Sequence, residues 1–389
     1  MDLEPTPAAR EFRARFRAWL AESLPQEWRN RTAGVEIDED ALFEIRRAWG
    51  IRLFEGGFGA PNWPEAGGGL GLTVDEQVAY VEELAAIGAP DPANANAIQI
   101  FGPALLKYGT AQQQDAYLRP MLAHEELWCQ GFSEPEAGSD LASLRTRAVD
   151  DAGRLRLFGQ KVWTSGAHHA KWCYALVRTD PEAAKHAGLS IVVVDMDQPG
   201  VEVRRIRQIT GGSSFCEVFL DGAIARYSDV VGGLGNGWAV ATYILSHERT
   251  TRMALRSLAL SKDFDRLRSI AVARAGTAGL APDSAVAVKL TKAFVHTLMV
   301  QAVVKRNLAL AASGRDFAAQ SAMGKLTWSE WAQQQAALAV EILGPDLARD
   351  EHRQDVHALL DARAATIYGG TSEIQRNIIA RAAGLASGR

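Results

Sequence analysis

Cysteine is scarce: Cys129, Cys173 and Cys216 stand 44 and 43 residues apart in a chain of 389. That spacing leaves no local Cys-x-x-Cys zinc or redox site and no disulfide framework, so all three read as reduced packing residues. Long apolar runs are missing too. Stretches such as Ile191 to Val194 and Ala336 to Val340 fall far short of the roughly 20 residues needed to cross a bilayer. Met1 to Arg17 interleaves Asp2, Glu4, Pro5, Pro7 and Glu11 with arginines, unlike a secretory signal or an acid-poor transit peptide. A soluble cytoplasmic protein is the expectation. Neither sign of charge is in excess, with 42 Lys and Arg against 46 Asp and Glu, so no basic surplus points to nucleic acid.

Nucleotide and metal signatures are lacking as well. The glycine clusters Gly56-Gly57, Gly67 to Gly71 and Gly232 to Gly237 fit neither the GxGxxG fingerprint nor Walker spacing, which excludes a Rossmann or P-loop cradle. His168 and His169 are adjacent and would point apart on a strand, and His352 and His357 are five apart, so no metal pattern emerges. No internal repeat or low-complexity tract is present.

What the chain does have is a change of period. From Ala8 to about Glu125 apolar residues recur at helical spacing, as in Phe12, Phe16, Trp19 and Leu20 or Val78, Val81 and Leu84. Thr110 with Gln113 spells a capping-box helix start. From Trp128, short β-prone runs take over, at Leu155 to Phe158, Trp172 to Arg178, Leu189 to Asp195, Val201 to Ile206 and Cys216 to Leu220. With no helices between them they predict an antiparallel sheet rather than a βαβ unit. Helical period returns over Trp238 to Ile270, Ser284 to Ala312, Ala318 to Leu343 and Asp355 to Ile367, long enough for an antiparallel bundle. The expected fold is α+β and multidomain: an N-terminal helical domain (1–125), a middle antiparallel β domain (126–236) and a C-terminal four-helix bundle (237–389).

Four segments could carry chemistry. Phe132 to Asp140 is an irregular loop fixed by Pro135 and Gly138, rich in small hydroxyls and backbone donors. Lys161 to Ala167 presents the plane of Trp163 beside two hydroxyls, suited to a flat heteroaromatic ring. In the helix from Trp238, residues 238, 241, 245, 248 and 252 share an arc of about 80°. Glu248 therefore lies on an apolar face, where lost hydration raises a carboxylate's pKa and fits it to take a proton. In Ile367 to Arg376, Ser372 with Gln375 reads as a capping box behind two glycines, a helix start that offers free N–H groups to an anion. Each also has a plainer reading: a turn, core packing, a Glu paired with Arg249 or Arg252, a good helix start.

Together, Phe132 to Asp140, Lys161 to Ala167, Gly212 to Asp221, Glu248-Arg249 and Tyr368 to Arg376 resemble, in order and spacing, the acyl-CoA dehydrogenase family. The resemblance extends to the Trp63 to Leu72 loop and the Gly102 to Gly109 helix. It implies non-covalent FAD held between the β domain and the bundle, with a second subunit contributing to each flavin site in a tetramer. By position, Phe132 and Ser133 would line the flavin, Ser139 would sit near the cofactor or thioester, and Trp163 with Ser165 would flank N5. Glu341 to Gly344, Thr371 and Glu373 resemble contributions made at the subunit interface. Ser246 and Arg249 match CoA contacts, and Tyr368, Gly369 and Gly370 would border the thioester. The implied reaction removes an α proton from an acyl-CoA while the β hydride passes to the flavin, giving a trans-2-enoyl-CoA and sending electrons to an electron-transfer flavoprotein.

Two departures are informative. Many members carry Glu after the motif tyrosine, where this chain has Gly369; a branch resembling the isovaleryl-CoA and long-chain enzymes places the base on the first bundle helix before an arginine, which here is Glu248. Relatives also carry Arg-x-x-Phe-Gly at the second bundle helix, where this chain reads Ala275-Gly276-Thr277-Ala278-Gly279-Leu280. A related branch, acting in some cases on sterol side chains, forms mixed tetramers with fewer complete flavin sites. The alternatives are thus a dehydrogenase of carrier-bound thioesters, or a flavin-poor partner in a mixed tetramer.

Overall fold

The computed structural model describes residues 5–29, 37–248, 251–312 and 318–385, without the side chains of Glu27, Glu248, Thr251, Arg252, Ala278, Ala311 and Ala312. Six helices come first: α1 (Pro7–Ser23), α2 (Gln26–Arg29), α3 (Glu39–Glu55), α4 (Val74–Ile87), α5 (Gly102–Tyr108) and α6 (Ala111–Leu122). The Thr110 and Gln113 capping box is present as expected, with Gln113 N–H donating to Thr110 Oγ1 at 3.2 Å and Thr110 N–H to Gln113 Oε1 at 3.0 Å. Helix α1 buries Phe12, Phe16 and Leu20, and Phe16 stacks on Tyr80 of α4 at 4.7 Å. Beside that aromatic core, buried Glu83 takes Arg17 at 2.7 Å and Arg13 at 3.1 Å.

A π-helical turn, Ala97–Phe101, precedes α5. Its cause lies in Pro103, which has no N–H to give. Gly102 N–H reaches back to the Ala97 carbonyl, and the next carbonyl, Ile98, accepts the Trp63 indole at 2.7 Å instead. Gly102 must be glycine for this, since a Cβ would lie 1.9 Å from Trp63 Cζ2.

The sheet contains β1 (Trp128–Gly131), β2 (Arg147–Asp151), β3 (Arg154–Ser165), β4 (Trp172–Arg178), β5 (Leu189–Asp195), β6 (Val201–Ile206), β7 (Phe215–Arg226) and β8 (Val230–Val231). Strand order is β6-β7-β3-β2-β4-β5-β8, with β1 on β4. Most pairs are antiparallel, as expected; β1 and β2 each meet β4 in parallel, because the irregular loop between them returns the chain in the same direction. Strands β3 and β7 reach 12 residues each, longer than the apolar runs that announced them.

The C-terminal helices are α7 (Gly237–Glu248), α8 (Thr251–Ala275), α9 (Ala285–Ala312), α10 (Ala318–Leu343), α11 (Arg353–Ala365) and α12 (Ser372–Ala382). The helix expected over Trp238 to Ile270 is helical on both sides of residues 249 and 250, as α7 and α8, and the side chains of Glu248 and Arg252 lie outside the described residues. Val240, Ala241 and Ile244 of α7 share a core with Ala97, Ile98, Phe101 and Phe132. Helix α9 packs between α8 and α10 yet leaves Val288, Phe294, Val295, Leu298 and Met299 about half exposed, at 41–50%. At 100° per residue they share an arc of about 140°. Its stretch Ala285–Leu310 is, among the described residues, long and apolar enough by length and composition to cross a bilayer. Counting unbroken apolar runs overlooks it, because Lys289, Lys292 and Lys305 interrupt it.

Candidate functional site

Two of the predicted segments are stitched into one body. Between Lys161 and Thr164 the register of β3 against β7 slips, a bulge that re-aims side chains. Trp163 stands on it at φ 61° and is 58% exposed, an unusual backbone for a bulky residue and one found where function holds it. Ser165 is exposed beside it, and the buried Thr164 hydroxyl has no hydrogen-bond partner. Val162 N–H donates to the Ser133 carbonyl at 2.9 Å, bringing the half-buried Ser133 and buried Phe132 to the same ridge.

Beneath the ridge lies an ion pair. Lys161, fully buried, donates to Glu134 Oε1 at 2.8 Å, to the Phe132 carbonyl at 3.2 Å and to the Leu176 carbonyl at 2.7 Å. Glu134 also accepts the backbone N–H groups of Arg145 at 2.7 Å and Thr146 at 2.9 Å. Burial pushes the Glu134 carboxyl up, but the Lys161 charge and the Arg145 N–H outweigh it and hold the group below the usual carboxylate range. The pairing escaped sequence reasoning, although a signal was there: Lys161 keeps the parity of buried Leu155 and Leu157, a cation on an apolar strand face.

Ser139 is exposed on the same loop, next to Asp140, which Lys185 holds at 2.6 Å. The histidine expectation changes: His168 and His169 sit on a one-turn 3-10 helix, Ala167–His169, rather than a strand, and their rings lie 4.0 Å apart. The tight turn brings neighbours to one side. Burial, reinforced by His169, pulls His168 down to about 4. Among the described residues no group of three metal-binding side chains occurs.

A further candidate segment is the turn before α12. Gly369 and Gly370 adopt φ 64° and 93°, and a Cβ on Gly370 would lie 2.4 Å from Gln375 Nε2. The helix cap is Thr371, whose hydroxyl accepts Ile374 N–H at 3.3 Å, one residue earlier than the Ser372 and Gln375 box expected. The left-handed glycines set Thr371 at the extended cap position, so Ser372 is already helical and buried. Gln375 instead donates to both glycine carbonyls at 3.0 Å, joined on Gly370 by the buried Lys325 of α10 at 2.7 Å. Tyr368 sits 5.1 Å beneath the Arg256 guanidinium, and Glu373 is exposed.

Glu341 and Gly344 are not brought to this turn. Glu341 stands about 24 Å from Lys325 along α10, at 1.5 Å per residue, and Gly344 lies just past the end of that helix. There Glu341 pairs with Lys289, and Arg274 donates to the Ile342 and Leu343 carbonyls at 2.6 and 3.0 Å. Ser246 donates to its own helix at the Tyr243 carbonyl, 2.7 Å. Glu248 closes α7, its side chain outside the described residues, as is Arg249 altogether.

A flavin fits what is present: an outward indole plane, hydroxyls on both sides of it, the unpartnered Thr164 hydroxyl, and a glycine turn that opens a capped helix start.

Comparison with known proteins agrees over the whole chain. Residues 6–125, 129–223 and 235–384 match the acyl-CoA dehydrogenase N-terminal, middle and C-terminal domains. The acyl-CoA dehydrogenase IpdE1 of Mycobacterium tuberculosis is 40% identical over 380 residues, spanning 95% of this chain and 96% of that relative. Among solved structures, the Tcur3481-Tcur3483 steroid ACAD superposes with a TM-score of 0.84 at 27% identity and the ChsE4-ChsE5 complex from Mycobacterium tuberculosis with 0.83 at 27%, each covering 100% of both chains. The chain belongs to the acyl-CoA dehydrogenase family of FAD-dependent oxidoreductases.

Proposed function

We propose that the protein dehydrogenates an acyl-CoA thioester between Cα and Cβ, giving the trans-2-enoyl thioester, with Glu248 as the base that takes the α proton. One observation carries the base assignment: the position after the motif tyrosine is Gly369, in a left-handed turn that offers no carboxylate, while α7, whose inner face is core, ends at Glu248. FAD, when bound, supplies the acceptor for the β hydride. Phe132, Ser133, Trp163 and Ser165 would hold its ring, with Ser139, Thr371 and Glu373 toward its polar parts. Ser139, Ser246, Arg249, Tyr368, Gly369 and Gly370 would border the thioester and pantetheine. Electrons would leave to an electron-transfer flavoprotein. The units 1–125, 126–236 and 237–389 are taken as the domains.

Full-length likeness to a steroid ACAD supports a sterol-derived acyl group over a plain fatty chain. Anaerobic mixing with a panel of steroid-side-chain, ring-fragment and straight-chain acyl-CoA thioesters tests this, with flavin bleaching as the signal. No bleaching by any acyl-CoA would refute the reaction. Faster bleaching by straight chains would refute the substrate class.

A second reading concerns assembly. The outward apolar arc of α9, with Met323 of α10 at 42% exposure, is larger than the scattered exposure of ordinary monomers. Residues 275–280 also lack the Arg-x-x-Phe-Gly segment. Both favour a tetramer, mixed with a homologous chain, in which Glu341 and Gly344 serve a flavin other than the one beside Trp163. Protein that turns yellow only after coexpression with a second dehydrogenase chain would bear this out; a yellow homotetramer would rule out the mixed form.

A further inference from the structure

Ser133 is bracketed. Lys161 Nζ donates to the carbonyl of the residue before it, Phe132, and to the carboxylate of the residue after it, Glu134. The next residue along β3, Val162, donates to the Ser133 carbonyl itself. The third hydrogen of Lys161 goes to Leu176 on β4, and Glu134 is pinned through Arg145 and Thr146 to the start of β2. One buried ammonium thus ties together the β1–β2 loop, the β3 bulge that carries Trp163, and β4. Within the bulge itself, Thr164 leaves its hydroxyl unbonded, and the Trp163 ring meets Phe215 edge-on at 6.2 Å.

We propose that Lys161, with Glu134, is the positioning residue of the flavin cradle, fixing Ser133 and Trp163 relative to one another so that both meet the ring at once. This rests on the placement of the flavin against those two residues. A buried pair that served stability alone would be replaceable by apolar side chains of similar volume at little cost. A pair that positions a cradle would not be, because apolar replacements cannot hold the Phe132 carbonyl or the Glu134 branch of the loop.

The test compares the full-length chain, stripped of flavin, with its Lys161→Met/Glu134→Leu variant. Urea unfolding of the stripped protein reports stability; FAD titration followed by tryptophan fluorescence and by the visible flavin spectrum reports the cradle. The expected result is an unfolding midpoint lowered by the unpaired Phe132 and Leu176 carbonyls and Arg145 and Thr146 N–H groups, FAD affinity at least about tenfold weaker, and a shifted flavin band. Wild-type affinity with a wild-type spectrum would overturn the proposal. Should the double variant fail to fold, Glu134→Gln, which keeps the shape and an oxygen for the backbone N–H groups, is read in its place. It should weaken FAD about threefold, and unchanged binding again overturns the proposal. Trp163→Ala and Ser133→Gly separate the two layers. If neither weakens FAD, the flavin placement itself falls and takes the proposal with it. If both do while the Lys161 and Glu134 variants do not, the proposal falls alone.

Discussion

In the β region Lys161 has all three hydrogens bonded within its own chain, whereas in the bundle α9 turns Phe294, Val295, Leu298 and Met299 outward at about half exposure. The first arrangement is closed, since burying a charge is tolerable only when every donor finds an acceptor. The second is open, since apolar area left in water is stabilising only once something covers it. The contrast teaches that the β region closes its polar interior within one chain, while the bundle leaves apolar area for the proposed assembly to cover. In the assembly proposed above, Glu341, about 24 Å along α10 from Lys325, and Gly344, just past the helix end, fall on the open side.

Five experiments break or sharpen that contrast. The largest effect falls at the seam between the regions, where α7 ends: Glu248→Gln should slow anaerobic flavin bleaching by an acyl-CoA about a thousandfold, with FAD content unchanged in the visible spectrum. Bleaching at the wild-type rate would remove Glu248 from the mechanism. Next comes the closed side. Lys161→Met alone strands Glu134 as an uncompensated buried charge and should cost about 3–5 kcal/mol in urea unfolding at neutral pH.

The same variant has a pH signature. Because Glu134 is held below its unfolded value, its contribution is present above the ordinary carboxylate range and disappears as pH falls through the lower folded value. The wild type should therefore lose stability faster than Lys161→Met as the solution is acidified. Parallel stability curves for the two proteins would show that the pair does not titrate as described.

On the open side, Phe294→Glu with Leu298→Glu should leave the monomer folded, and sedimentation velocity should show the assembly falling apart, at about 1.5–3 kcal/mol per lost apolar side chain. An unchanged sedimentation coefficient would mean the arc faces no neighbour. The smallest effect is at the cap of α12, where Thr371→Ala should cost about 1 kcal/mol, read as a lower midpoint in thermal unfolding. Ser372→Ala should do less, since its hydroxyl has no partner.

The order of helices, sheet and bundle was legible because periods of 3.6 and 2 alternate cleanly along the chain. The Thr110 cap was legible because both partners lie within one turn. Strand lengths were not: β3 and β7 run on through polar residues such as Gln160 and Asp221, which are kept in the strand by their cross-strand pairing. The α12 cap was misplaced by one residue because two hydroxyls in a row can each spell a box, and only the left-handed glycines decide between them. Among candidate site residues, sequence reached Ser133 and Trp163 by type and family position. It did not reach Glu134 with Lys161, nor Lys325 with Gly370, which are 27 and 45 residues apart and meet only through tertiary folding. The histidine pair misled for a related reason, since a strand was assumed where the chain makes a tight turn.

The π-helical turn against α7 carries a last consequence. Pro103 withholds a hydrogen, Trp63 replaces it from a distant loop, and Gly102 vacates the space the indole needs. None of the three helps without the others: alanine at 102 expels the indole, and losing the indole orphans a carbonyl inside the core. The trio therefore forms one inherited unit that drift cannot edit piecemeal, and the wall behind the helix that ends in Glu248 changes shape in a single jump or stays as it is.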